Sequence, residues 1–356
     1  MRVHQLLSGA GPYDAITAQA RAYRKLMKGW GIEGRIYADS AAPGVEREVR
    51  PTARLADESR ADDVLLVHYS IHSSRLGVAL ELFERKLLIY HNITPPRYLW
   101  DYQPHVATLC AIGRDELRRL ASRFNAAAAV SAYNARELEA AGFADVAVIP
   151  NLFDEQRLEP GAGEGTRWDD GKRNVIFVGR VAPHKRHDDL LRAFAIYQRH
   201  LEPDSRLIMV GEPLSPIYRV ALEDLSIRLG VRDAIFTGAL PQRRVNAAYA
   251  ASHAFLCLSE HEGFCIPLLE AMHFDLPILA REAGGVPEVA GDAAIGLGPE
   301  PDPGVVAEAL HMAVSDEPLR TELAERGRRR LAEFSPERTA EKLKEWLESS
   351  LAISSV

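Results

Sequence analysis

Short, largely apolar runs alternate with stretches of helical periodicity along most of this chain, and no other feature limits its fold so tightly. Val3 to Leu7, Val64 to Val67, Leu87 to Tyr90, Ala127 to Val130 and Val146 to Ile149 read as strands of a first set. Val175 to Val178, Leu207 to Val210, Ile235 to Thr237, Ala254 to Leu258, Pro277 to Ala280 and Ala293 to Leu297 form a second. Strands that are apolar at consecutive positions are covered on both faces, and strands separated by helices run parallel. Between the two sets, Pro160 to Arg173 is rich in glycine and charge, which predicts a linker or a long exposed loop. A chain of 356 residues with 47% hydrophobic content can bury two ordinary cores. Two α/β domains are therefore expected, over residues 1–160 and 161–335. The tail from Pro336 is amphipathic, with Leu343, Trp346, Leu347 and Leu351 on one face.

Two loops of the second set carry candidate chemistry. Glu262-Gly263-Phe264-Cys265-Ile266-Pro267-Leu268-Leu269-Glu270 follows an apolar strand, and Pro267 suits the first turn of a helix. Glu262 then lies on the approach loop and Glu270 about one turn inside the helix. The amides of Phe264, Cys265 and Ile266 would point outward at the positive end of the helix dipole, an arrangement suited to oxygen-rich or anionic ligands. The bland alternative is that Glu270 only complements the dipole and Glu262 is solvated. The second loop joins the strand Val175 to Val178 to a helix, through Gly179-Arg180-Val181-Ala182-Pro183-His184-Lys185. Arg180 and Lys185 are thus expected at the carboxyl edge of a sheet, where open α/β folds bind ligands. A planar guanidinium fork and a point charge together suit two adjacent phosphates, although most Arg and Lys side chains are only solvated surface cations.

Together these segments resemble the retaining glycosyltransferases of family 4, whose fold is called GT-B. Val178-Gly179-Arg180…Lys185, Gly211-Glu212, Phe236-Thr237-Gly238, Tyr249-Ala250, the Glu262 to Glu270 block and Gly284-Gly285-Val286-Pro287-Glu288-Val289 carry the likeness in order and spacing. The first half matches more loosely, through Tyr90-His91-Asn92-Ile93-Thr94-Pro95, Ser131 to Leu138, and Val148-Ile149-Pro150-Asn151. The resemblance implies two Rossmann-like domains facing each other across a cleft, the acceptor domain first and the nucleotide-sugar domain second. It further implies that the last helix, 336–356, packs back on the first domain. By the same likeness, Arg180 and Lys185 bind the donor diphosphate, Glu270 the ribose, and Glu262 and His91 the transferred sugar. Gly11, Gly238, Leu240 and the backbone of Gly263, Phe264, Cys265 and Ile266 complete the expected donor contacts. Cys265 stands where this family commonly has a second glycine. The pieces around His91 and Cys265 resemble bacterial transferases that build surface polysaccharides. They point first to a GDP sugar of the mannose type and second to a UDP sugar, with a glycan, lipid-linked or small-molecule acceptor.

Composition excludes several other classes. A formal charge of −7 argues against a dedicated nucleic-acid binder. Three cysteines without a C-x-x-C pair make no disulfide scaffold and fit a reducing cytoplasm. The N-terminus is too short in apolar length for a signal sequence, and no run of roughly 18 apolar residues predicts a membrane span. Arg21, Arg24, Lys25 and Lys28 cluster on one early helix, and Arg114, Arg118, Arg119 and Arg123 on another. Either cluster suits peripheral contact with an anionic membrane, or is simply a solvated face. Gly9-Ala10-Gly11-Pro12-Tyr13-Asp14 is one glycine short of a dinucleotide fingerprint, so a nicotinamide dehydrogenase is an alternative, with Asp14 more simply read as a helix cap. A non-catalytic nucleotide-sugar-binding protein is the other. Ser131 likewise reads as a cap. His68 and His72 have metal-like spacing without the intervening Glu of a zincin, and the chain contains no Asp-x-Asp. No metal and no cofactor beyond the nucleotide-sugar co-substrate are expected. The sequence says nothing of oligomeric state.

Overall fold

The structure, a computed structural model, describes residues 1–159 and 168–352. The chain divides into two units. One comprises Met1–Arg97, His105–Leu152 and the C-terminal stretch from Pro336, and the other Tyr98–Pro104 and Phe153–Ser335. The division after Leu152 falls earlier than the expected residue 160.

The first unit holds β1 (Val3–Leu7), β2 (Ile36–Ala38), β3 (Val49–Pro51), β4 (Val64–Tyr69), β5 (Arg85–Tyr90), β6 (Ala126–Ala129) and β7 (Ala147–Val148). They form a seven-stranded sheet in the order β3-β2-β1-β4-β5-β6-β7, with every neighbouring pair parallel. The chain thus winds outward from β1 to β3, then returns to the other side of β1 and winds outward again from β4. β2 and β3 escape a pattern search because each is three residues long, and β3 ends in Pro51 on the sheet edge, where a missing N–H is tolerated. β4 is buried along its whole length, as a central parallel strand must be, and His68 is the residue that breaks its apolar run.

The second unit repeats the plan with β8 (Arg173–Val178), β9 (Ser205–Val210), β10 (Ala234–Gly238), β11 (Ala254–Cys257), β12 (Ile278–Arg281) and β13 (Ala294–Leu297). Its six-stranded sheet runs β10-β9-β8-β11-β12-β13, again all parallel. Connections from β8 and β11 leave toward opposite edges, so a crevice opens at the carboxyl ends of these two neighbours.

Part of the expected linker is packed. Trp168 is buried, its carbonyl accepts from Asn174 Nδ2 at 2.8 Å, and the Arg206 guanidinium lies 5.6 Å from the ring centre. Arg173, the last residue assigned to that linker, already begins β8. Residues 160–167 of the expected linker lie outside the described residues. The last helix, Pro336–Ala352, belongs to the first unit, with Leu343, Trp346 and Leu347 buried.

Candidate functional site

The loops leaving β8 and β11 are those that carry Arg180, Lys185 and Glu262, so the second unit's switch point gathers these three of the candidate residues. The contact is direct. Lys185 Nζ donates to Glu262 Oε2 at 2.6 Å, with the side chains 17% and 8% exposed. Burial works most strongly against the ammonium charge, but the Glu262 carboxylate, together with Cys265 and Cys257 beside it, outweighs it and the Lys185 pKa is raised. Arg180, by contrast, is exposed at the end of β8. One cation is held in place and the other is open to solvent.

Past Glu262 the chain enters the helix Ile266–His273, with Pro267 in its first turn as the sequence predicts. Cys265 is the N-cap residue and has φ 73°, in the left-handed region. A Cβ is costly in that conformation, which is a backbone reason for glycine at this position in the resembling sequences. Glu270 lies one turn into the helix, where Tyr249 donates its hydroxyl to Oε2 at 2.8 Å. Burial raises the Glu270 pKa and the Tyr249 hydrogen bond opposes it. A carboxylate offers about four lone-pair sites, so Tyr249 leaves Glu270 room to accept from a vicinal diol.

The Glu262 loop is buttressed from two directions that sequence reading missed. A Cβ on Gly284 would stand 2.2 Å from the Glu262 carbonyl oxygen, and one on Gly285 2.4 Å from that of Gly263. Gly285 N–H donates to the Glu262 carbonyl at 2.8 Å. Two backbones therefore meet where no side chain fits. On the other flank, Glu260 N–H donates to the His184 carbonyl at 2.9 Å, tying the two loops together. Arg186 bonds Asp188, Asp189 and Glu260, and the buried Arg281 reaches Asp189 at 2.7 Å and Glu260 at 3.2 Å. The sequence signal was present in Arg186-His187-Asp188-Asp189, a cation beside two acids at a helix start. Their partners Glu260 and Arg281 lie too far along the chain for any local pattern to find.

Gly238 and Leu240 stand apart from this cluster. Gly238 ends β10, the edge strand two places from β8, and its carbonyl accepts from Gly211 N–H at 3.1 Å. Leu240 is half-buried in the loop beyond it. Cys257, Glu262 and Cys265 place potential metal-ligating atoms within 4.8 Å of one another. The carboxylate of that group already faces the Lys185 ammonium, so its negative charge is matched. His68 and His72 do not converge, since His68 bonds Gln5 and His91 while His72 Nδ1 meets Glu116 at 2.9 Å.

In the first unit, Asp14 accepts from Thr17 N–H at 2.7 Å and from its hydroxyl at 2.8 Å, so it is a helix cap. Gly11 N–H donates to Thr17 Oγ1 at 3.1 Å, and a Cβ there would meet nothing closer than Asp14 Cβ at 3.8 Å. The protein's own packing therefore does not demand glycine at position 11. Ser131 accepts from Asn134 N–H as the cap of Ala132–Ala140. Asn92, at φ 75°, donates to Asn134 and Glu137. His91 follows β5, half-buried, with its ring stacked on His68 at 5.1 Å between centroids. Both basic clusters are partly neutralised: Arg21 pairs with Glu48, Arg114 with Glu137, Arg119 with Asp115 and Arg123 with Glu81. Lys25 and Lys28 are exposed. Among the described residues, no helix is long and apolar enough to cross a membrane.

Four histidines whose rings are shielded from water, His68 and His187 fully buried and His91 and His184 half-buried, make stability depend on pH. Burial holds His68 and His184 well below the usual imidazole value and pushes His91 and His187 down to about 3. Below pH of about 6.5 the unfolded chain takes up protons on these rings and the folded chain does not. Stability is therefore expected to fall as pH drops below about 6.5, with His91 and His187 each contributing up to about 1.4 kcal/mol per pH unit down to about 3. Urea unfolding at pH 7 and pH 5 should show a lower midpoint at pH 5 in each unit. An unchanged midpoint would mean that the rings are protonated in the fold.

Known proteins share this architecture. The crystal structure of Anabaena Alr3699/HepE in complex with UDP-glucose matches with a TM-score of 0.77 at 17% identity, over 98% of this chain and 100% of that one. The fold is thus GT-B, with two Rossmann-like α/β units. Within it, residues 164–330 match the family described as glycosyl transferases group 1. A GDP-mannose-dependent alpha-mannosyltransferase of Mycobacterium tuberculosis is 35% identical over 136 residues, 37% of this chain and 32% of that protein. A D-inositol 3-phosphate glycosyltransferase of Nocardia farcinica is 31% identical over 194 residues, 52% of this chain and 43% of its own length. The chain thus spans less than half the length of these curated relatives.

Proposed function

We propose that this protein is a retaining glycosyltransferase that moves a hexosyl group from a nucleoside diphosphate sugar to a glycan, lipid-linked or small-molecule hydroxyl. The observation that carries this reading is the buried Lys185–Glu262 pair at the second unit's switch point, beside the start of a helix. A donor diphosphate would draw the Lys185 ammonium from Glu262, with Arg180 closing on it from solvent. Both cations then stabilise charge that grows on the leaving group. Glu262, relieved of its partner, is left to face the positive charge developing at the anomeric carbon. His91 contacts the transferred sugar, and Glu270 the ribose. Retention follows if the leaving diphosphate deprotonates the acceptor on the same face of the sugar. A GDP hexose of the mannose type is the favoured donor, supported by the mycobacterial relative, and a UDP hexose is the second.

Turnover against a panel that includes GDP-mannose and UDP-glucose tests the reading. Hydride transfer with a nicotinamide cofactor, or nucleotide-sugar binding without transfer or hydrolysis, would replace it. The same assay after exhaustive EDTA treatment should give an unchanged rate, because Lys185 and Arg180 take the place of a cation on the diphosphate. A strict need for Mn²⁺ or Mg²⁺ would remove that role from them.

A further inference from the structure

The environment of His91 is more specific than a lone loop histidine requires. Gln5 and His68 are both buried, on adjacent strands β1 and β4. Gln5 Nε2 lies 2.9 Å from the Ala20 carbonyl oxygen. A carbonyl can only accept, so the amide nitrogen faces it and Gln5 Oε1 is turned the other way. That oxygen lies 2.8 Å from His68 Nε2, which must therefore carry a proton. A neutral His68 with its proton on Nε2 has a bare lone pair on Nδ1. His91 Nε2 lies 2.8 Å from that Nδ1, so it must be the N–H donor. Each assignment forces the next. The backbone is fixed as well, His91 N–H donating to the Tyr69 carbonyl at 2.9 Å.

We propose that Gln5 and His68 are positioning residues that lock His91 as its Nε2–H tautomer, so that it meets the sugar substrate with Nδ1 as an acceptor. The group recognised is then a hydroxyl, and a sugar carrying a carboxylate at that point is disfavoured because two acceptors would face each other. The low His91 pKa agrees, since a neutral ring keeps the Nδ1 lone pair at working pH. The contact with sugar rests on the proposed function, whereas the tautomer rests on the hydrogen-bond chain and on the burial that keeps His68 neutral.

Nitrogen-15 NMR of the histidine-labelled full chain at pH 7 reads the tautomer without any turnover. The expected spectrum shows His91 protonated on Nε2 and bare on Nδ1. The opposite tautomer or an imidazolium overturns the proposal, even if the protein proves to be a transferase. If no nucleotide sugar is turned over, the proposed function fails while the tautomer is still decided. The functional arm compares His68→Leu, which removes the acceptor, with His68→Asn, whose side-chain oxygen can replace Nδ1. With GDP-mannose and UDP-glucose as probes, His68→Leu should lower kcat on the order of tenfold, the effect of one misdirected hydrogen bond, and leave the Kd of GDP and UDP unchanged. His68→Asn should restore most of the rate. Equal loss in both variants, or loss of nucleotide affinity, would reduce His68 to a structural residue.

Discussion

Lys185→Ala and Arg180→Ala are each expected to lower turnover at saturating donor by on the order of tenfold to a thousandfold, the upper part of that span being the loss typical when a donor to a developing anion is removed. The two variants should differ in everything else. Arg180 is exposed, so its loss should leave folding stability within about 0.5 kcal/mol of the parent. Lys185 is the partner of a Glu262 side chain only 8% exposed. Removing one member of a buried pair strands the other charge, which costs about 3–5 kcal/mol before solvent and local relaxation reduce it. Rate and urea midpoint measured together separate the two effects. If Arg180→Ala is slow but as stable as the parent, the cation acts on the reaction. Lys185→Arg is the control that keeps the charge but not the compact ammonium, and should recover stability more than rate. Near-normal turnover in both alanine variants would sink the assignment of diphosphate binding to this loop.

What could be read beforehand, and what could not, divides by the range of the interaction. β4, β5, β8 and β11 were legible because a central parallel strand is apolar at nearly every position, and that pattern is local. Asp14 and Ser131 were legible as caps for the same reason, the signal and its partner lying three residues apart. β2 and β3 were not, because strands of three residues carry too little pattern. Trp168 was absorbed into a glycine-rich stretch whose composition said linker, although a buried indole and its Arg206 partner fix that end of the segment. The site shows the same division. Lys185 and Glu262 could each be singled out by motif, but their ion pair spans 77 residues and exists only because β8 and β11 are neighbours. Gly284 and Gly285 could be noticed as a resemblance, yet the reason they must be glycine is the backbone of the Glu262 loop pressed against them.

That ion pair also sharpens the division of labour proposed for the two glutamates, Glu262 toward the transferred sugar and Glu270 toward the ribose. Glu270→Gln should weaken binding of free GDP or UDP on the order of tenfold, because a carboxylate that accepts from two ribose hydroxyls exchanges charged hydrogen bonds for neutral ones. Tyr249 reports on the same role. Tyr249→Phe removes the hydroxyl that holds Glu270 Oε2 at 2.8 Å and should reproduce a smaller part of that loss. Glu262→Gln acts differently. In the unliganded protein Glu262 holds Lys185, which on the proposed reading must turn to the diphosphate, so neutralising Glu262 frees the ammonium and nucleotide affinity should hold or tighten. The rate should nevertheless fall, since the carboxylate that faces positive charge at the anomeric carbon is lost from the transition state and not from the nucleotide complex. The expected signature is therefore a Kd that rises in Glu270→Gln and does not rise in Glu262→Gln, with kcat depressed in the latter. Calorimetric titration of GDP and UDP beside turnover assays measures both. Equal loss of nucleotide affinity in the two variants would mean that Glu262 supports the fold of the phosphate loop and not the reaction, and unchanged kcat in Glu262→Gln would remove it from the chemistry altogether.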